Sequence, residues 1–440
     1  INAAAEAAST YSETFYYPAV DLAWQFNQLS LFDQVEFLSF AKLRGSWGQV
    51  GIAPGAHLSR TLVDEGVSVS SYSDGLDLAV FGGGYRLDNR RGNPDLTPEL
   101  KTEYEAGIDL RLFKDRLGIN FSYYKNDIED VRLSTNLATS TGFTSTWKNA
   151  GAMENKGIEL DLNYDIVKST DWELNISANF NNNKNIVTDL DGVESVNLTS
   201  TAISSRAVVG HPLGVLWATK AQRNEDGSLL LDANGFPSAG EAGVIGDPNP
   251  EWRGGAGLNA RWKNLRLNVQ FEHSQGGNFA DRTRLVMYRF GTHADVGHEV
   301  TLTEDLRNMN GDLFPAGSTV RGNIDDFGGG NVLLDENWYV SKGGGFGSAV
   351  IYDLAFENDA TWTKLREVSL SYQLNGDWIR DHLKISSVDF TATGRNLGLW
   401  TDIVGIDPET SQFGVSNGFG VEYFSNPSTQ SFLFTLKVTY

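Results

Sequence analysis

From residue 101 to residue 126 apolar and polar side chains alternate in two matched runs. Tyr104, Ala106, Ile108, Leu110 and Leu112 fall on one face of an extended strand, and Glu103, Glu105, Gly107, Asp109 and Arg111 on the other. A period of two excludes a helix, whose apolar residues recur every three or four positions. Lys114, Asp115 and Arg116 make a tight turn, after which Leu117, Ile119, Phe121 and Tyr123 alternate with Gly118, Asn120, Ser122 and Tyr124. The pair reads as a long hairpin. The same alternation recurs around Val20, Leu43, Leu160, Ile176, Leu258, Leu267, Leu370, Phe390 and Phe434, so about eleven strands are expected. Alternation by itself fits two architectures, a sandwich in water or a barrel in a membrane.

The connections separate them. Short ones sit at Lys114, Lys168, Lys263 and Asp377, and long ones begin near Val50, Ser134, Ile186, Ser274 and Trp400. A barrel with short turns on one side and long loops on the other requires this asymmetry, and a sandwich does not. The apolar faces carry about five residues each, which at ~6.7 Å per pair and a tilt near ~40° spans roughly the 25 Å apolar band of an outer-membrane barrel. The opposite faces carry Glu, Asp, Asn and Arg, which are costly in a dry core and cheap beside a water-filled lumen. Tyr164, Trp172, Trp262 and Tyr440 lie near the short-turn ends, where an aromatic girdle belongs. The expected fold is therefore all-β, a transmembrane antiparallel barrel with long extracellular loops.

Between the strands, residues 50–100 read as loop, with Gly82, Gly83, Gly84 and Pro94 as breakers. Residues 134–149 read as a second loop. Residues 183–250 read as irregular apart from a small hairpin of residues 215–219 against 229–231 across Asp226 and Gly227. Parity places that hairpin wholly outside the membrane. Residues 274–359 are the longest stretch without a strand period, with a short helix expected over residues 279–290, and a bulge is expected at Leu365, where the strand period changes phase.

Composition narrows the function classes. The formal charge of −21 argues against nucleic acid, whose phosphates call for a basic stripe. The absence of Cys excludes a disulfide scaffold and a thiolate metal site. No stretch approaches the ~20 apolar residues of a membrane helix.

The segments NPDLTPELKTEYEAGIDLRLFKDRLGINFSYYKNDIEDV, NAGAMENKGIELDLNY, TKLREVSLSYQL, TGRNLGLWTDIVGIDPE and the ending SFLFTLKVTY resemble the C-terminal half of a SusC/RagA-type TonB-dependent outer-membrane protein. The resemblance covers nearly the whole chain in order. It implies a barrel of about 22 strands around an N-terminal plug, a SusD-like surface lipoprotein as lid, and TonB-driven import of a glycan or oligopeptide across the outer membrane of a Bacteroidetes-like Gram-negative cell. Residues 1–440 would then be the C-terminal part of the barrel. The other half, the plug and the TonB box, neither of the last two found in these residues, are expected upstream of Ile1. Tyr440 stands where Phe is the more usual ending. A passive porin is the alternative within transport, and a soluble all-β carbohydrate-binding or hydrolytic protein the alternative outside it.

Other patterns have bland explanations beside the sharp ones. Glu103 with Glu105, or Glu159 with Asp161, offers paired carboxylates of a kind a glycosidase uses, but lumen-lining charge explains them equally within a pattern common to every strand. His293, Asp295 and His298 are metal-ligand types in one loop. The turn from Asn224 to Asp226 lacks the oxygen series of a calcium loop. GGGFGS, from Gly343 to Ser348, has no preceding strand or following Lys to make a phosphate loop. Trp338 and Tyr339, in the longest loop, are the substrate-contact candidates: such rings stack on sugars, meet a lid or pack a loop core. No catalytic residue, cofactor or metal site is assigned.

Overall fold

The computed structural model describes residues 14–440 apart from 33, 66–84, 200, 348, 356–358, 415 and 417. Among the described residues, eleven strands follow one another in a single antiparallel sheet in the order of the chain. They are β1 (Ala19–Gln25), β2 (Leu38–Ile52), β3 (Glu99–Leu112), β4 (Leu117–Asn136), β5 (Ser145–Lys168), β6 (Trp172–Asp189), β7 (Trp252–Trp262), β8 (Leu265–Gln275), β9 (Trp362–Asn375), β10 (Ser387–Thr401) and β11 (Ser431–Thr439). Gly82, Gly83, Gly84, Ile1 and Ser348 lie outside the described residues.

Register carries the alternation across the sheet. Ile108 pairs Phe121, Phe121 pairs Leu160 and Leu160 pairs Phe180, so apolar side chains meet in rows on one face. That face is bare. Leu22 is 74% and Phe434 83% exposed, and no second sheet packs on it among the described residues. A sandwich in water is thereby excluded, since it would bury this face and expose the other. Trp172 and Trp262 pair in register at the turn end with stacked rings 5.7 Å apart, as a girdle requires.

The buried hydrophobic clusters lie instead among the loops and the loop-side ends of the strands. There the sequence reading needs three corrections. β4 and β5 do not stop at 134 and 149; they pair on to Asn136 and Ser145, leaving only residues 137–144 as the connection, and β6, read as irregular from 183, runs on to Asp189. Above the membrane both faces meet water, so the ladder continues while the apolar alternation lapses. With 24 residues, β5 is about 79 Å long, far more than a bilayer needs.

Second, Val215–Ala221 pairs not with residues 229–231 but with Ala239–Gly246 on one side and Ser204–Val208 on the other, in a four-stranded sheet that Ser195–Asn197 completes. The turn at Asp226 and Gly227 does form, closed by Asn224 and Ser228, but a second turn follows at once. Asp232 accepts hydrogen bonds from the backbone of Asn234 and Phe236 and reverses the chain again, postponing the pairing to Ala239. The whole sheet lies between β6 and β7, outside the spanning ladder. Third, residues 50–100 and 274–359 are not without strands: in the first, Val63–Glu65 pairs Tyr85–Leu87. Glu299–Thr301 pairs Thr319–Arg321, Leu306–Arg307 pairs Leu313–Phe314, and Asn323–Asp326 pairs Asn331–Leu334. The expected helix is shorter, Arg282–Arg289, because Asp281 caps it by accepting from Arg284 N and Ala280 is drawn into a bridge with Val421.

The expected bulge forms. Phe271 faces Leu365 and Gln270 faces Glu367, which leaves Arg366 as the extra residue.

Phe121 and Asn120 are neighbours on opposite faces of β4. In the natural polypeptide that carries this chain, Phe121→Arg should cost about 2–4 kcal/mol when refolding into lipid vesicles is titrated with urea, and Asn120→Arg under about 1 kcal/mol. Equal losses would refute the assignment of faces.

Candidate transport lumen

The inner face of the sheet is largely polar, with Val50, Ile128 and Leu433 among its few apolar positions. Near β1, Lys42 lies 2.5 Å from Asp109, and Arg44 spans Asp109, Glu105 and Ser122. At the turn end, Arg261 binds Glu173 at 2.6 Å and Asn175 donates to Asp165 at 2.8 Å. Ser369 with Thr393 and Ser371 with Thr391 pair hydroxyls at 2.9 Å across β9 and β10. Three recesses of about 400, 420 and 640 Å³ follow one another along this wall from the short turns to the loops. Gly257 leaves space over Ser177: a Cβ there would come within 2.5 Å of its hydroxyl.

The largest recess lies where the loop after β10 returns to the wall. Asp407 and Glu409 from that loop meet Lys364 and Arg366 from the bulged start of β9. Lys364 is 3% exposed, and its ammonium sits 2.7 and 2.8 Å from the two oxygens of Asp407, itself 5% exposed, and also touches Glu409. Arg366 donates to Glu409 at 2.7 and 2.5 Å and to Glu272 at 2.6 Å. The Trp362 ring lies 5.4 Å from the Lys364 ammonium. Burial raises the pKa of Asp407, but hydrogen bonds from Lys364 and Ser428 outweigh it and hold the carboxyl below its ordinary value. Glu409 is likewise pushed up by burial and brought down further by Arg366 and Lys364. Sequence reasoning passed over this cluster, although a signal was present: two cations flank Leu365 at the change of phase, and two acids flank Pro408.

The structure sorts the other candidates. Trp338 and Tyr339, each 5% exposed, are held in a loop core with Phe236, Phe327 and Tyr288, and neither offers a free ring face for stacking. The Tyr339 hydroxyl lies 2.6 Å from the Asn323 amide. Tyr288 donates to Asp295 at 2.6 Å, and burial first, then that carboxylate, raise its pKa. His293 accepts from Asp295 N as a helix cap, and His298 Nδ1 lies 3.0 Å from the Gly322 carbonyl, so the three residues serve local turns. Among the described residues no group of three or more His, Asp or Glu is arranged to hold a metal. Glu103 is paired with Lys101 and Glu105 with Arg44. Asp226 accepts from Ser228 within its own turn. Gly343 packs against the Trp338 indole, and Gly345 N donates to Leu285 O.

A bare apolar exterior, a polar interior and loops gathered at one end agree with the family model that this sequence matches, TonB dependent receptor-like, beta-barrel, over residues 2–285. The chain belongs to the TonB-dependent receptor β-barrel family. TonB-dependent receptor P26 of Formosa agariphila is 25% identical over 455 residues, an alignment covering 94% of this chain and 41% of that protein. TonB-dependent receptor SusC of Bacteroides thetaiotaomicron is 26% identical over 181 residues, 40% of this chain and 17% of that one. A solved chain of the RagAB peptide transporter superposes with a TM-score of 0.69 at 20% identity, over 96% of this chain and 43% of that one, and shares its fold. This receptor chain thus spans about two fifths of the length of the relatives it matches end to end. TonB-dependent receptor barrels are outer-membrane proteins of Gram-negative bacteria, and the family is one of receptors and transporters. In the receptor, the bare face meets lipid and the charged face lines the lumen.

The Lys364 cluster makes a test possible because the chain has no Cys of its own. Val404, 79% exposed on the same loop, can carry a single spin label as Val404→Cys. Depressed carboxyl pKa values contribute stability above the unfolded values near ~4 and lose it as pH falls through the folded ones. The label should stay restrained from pH 8 to 5 and become mobile below about pH 4. Lys364→Ala, which strands a buried carboxylate, should mobilise it at pH 7, with a loss of about 3–5 kcal/mol in loop docking.

Proposed function

We propose that this chain forms the C-terminal part of the barrel of a TonB-dependent importer for a bulky polar nutrient, a peptide or a glycan, in the outer membrane of a Bacteroidetes-like cell. The observation that carries the reading is the largely polar inner wall, with its succession of recesses, beneath a roof of packed loops. A cargo large enough to touch several strands finds donors and acceptors along most of the path. The likeness to a RagAB peptide transporter supports a peptide.

The remaining parts belong to the same proposal. The sheet has two open edges, β1 and β11, and eleven strands cannot close antiparallel, because the first and last then run in the same direction. Unpaired edge groups are not tolerated in hydrocarbon. Further strands of the same polypeptide complete the barrel, a plug fills it, a TonB box couples it to the inner membrane, and a SusD-like lipoprotein covers the loops. Expressed alone, residues 1–440 should aggregate or dimerise, as read by size-exclusion chromatography in detergent. A monodisperse monomer that conducts ions in a planar bilayer would count against this.

The decisive experiment is uptake. Cells carrying the full receptor should take up fluorescent oligopeptides or oligosaccharides, and removal of TonB or collapse of the proton gradient should abolish the accumulation. Uptake that survives both treatments identifies a passive porin instead.

A further inference from the structure

The outward face of β4, β5 and β6 changes character at one row. Below it stand Phe121 and Tyr123 on β4, Leu160 and Ile158 on β5, and Phe180 followed by Asn182 on β6. In the row itself Lys125 pairs Lys156, and Lys156 pairs Lys184. Three ammonium side chains on adjacent strands project outward side by side, with Cβ atoms about 5 Å apart. Like charges directly opposite are unfavourable in a ladder, so a row of three calls for counter-charge.

The protein supplies part of it. In the next row up, Asp127 pairs Glu154. Glu154 lies 2.8 Å from Lys125 and 3.2 Å from Lys156, and Asp127 lies 3.5 Å from Lys125. The following position on β6 is Ile186, which offers none. Lys184 is exposed and has no carboxylate partner among the described residues. Three cations against two carboxylates leave one positive charge, at the border where the lipid-facing wall stops being apolar.

We propose that this row is a binding site for the phosphorylated headgroup of an outer-leaflet lipid, with Lys184 as its principal ligand and Lys125 and Lys156 flanking it. The site rests on the outward face being the lipid face. Two features argue for a lipid rather than a free anion. The row is continuous with the apolar strip of Ile158 and Phe180, against which acyl chains of the same molecule would lie, and it faces away from the lumen through which solutes pass. Phosphate oxygens accept charge-assisted hydrogen bonds from ammonium groups, and the apolar strip adds affinity that inorganic phosphate cannot gain.

The test uses the natural full-length receptor in neutral detergent, titrated with lipid A bearing two phosphates, with the same lipid dephosphorylated, and with inorganic pyrophosphate, and read by native mass spectrometry. Phosphorylated lipid should bind tightest. Lys184→Gln, which disturbs no ion pair, should weaken it about fivefold, Lys184→Arg should restore it, and Lys168→Gln at the opposite end should leave it unchanged. Equal binding of dephosphorylated lipid, pyrophosphate binding as tight as lipid, or an unaltered Lys184→Gln variant would each overturn the proposal. Co-flotation with vesicles keeps the outcomes apart: a receptor that inserts yet shows no Lys184 dependence removes only this site, whereas one that fails to insert removes the membrane reading as well.

Discussion

Every feature of this chain depends on one constraint: a backbone amide or carbonyl in hydrocarbon has no water to bond. The sheet answers with ladders that run from β1 to β11 in the order of the chain. Once the backbone is fixed in this way, the side chains have only two directions, and a shift of one residue in register would put charges into lipid along a whole strand. Lys42, Arg44, Glu105 and Asp109 are therefore compelled to share the interior, where two cations and two carboxylates neutralise one another. The polar wall is thus a consequence of the apolar exterior as much as a device for cargo.

The bulge at Arg366 uses this rule by breaking it once. Regular alternation would send Lys364 and Arg366 inward and Glu367 outward. The extra residue turns Glu367 inward too, where it meets Arg395 at 3.0 Å while Arg366 is free to reach Glu272 and Glu409. Alternation then resumes with Val368 and Leu370 on the lipid face. One inserted residue thereby concentrates charge at the wall where a loop must attach, without exposing any of it to lipid.

How much of this was legible in the sequence follows from the same physics. Strands such as β3 and β8 could be read residue by residue, because lipid on one side and water on the other impose a period of two. Where water lies on both sides the period disappears though the ladder persists, which is why the extension of β4 to Asn136 and the partner of Val215 were missed. The phase change at Leu365 was visible, but its purpose was not, since the acids that complete the cluster lie some forty residues away. Trp338 and Tyr339 drew attention as large rings in a long loop. In the fold they serve a core that this loop shares with Phe236 of the preceding one, which must bury apolar surface to hold its shape in water.

That interior explains why the Lys364 cluster is better understood as an anchor than as a source of stability. A buried ion pair returns through attraction little more than it loses on leaving water, and an apolar contact of equal size would hold the loop as well or better. What an apolar contact cannot do is sit on a polar wall without interrupting it. Lys364 and Arg366 attach the loop at one defined point, through groups that match their surroundings, while the Phe236 and Trp338 core holds the neighbouring loops together. The receptor thus packs its loops with hydrocarbon and fastens them to the lumen with charge, and each interaction is placed where its solvent permits it.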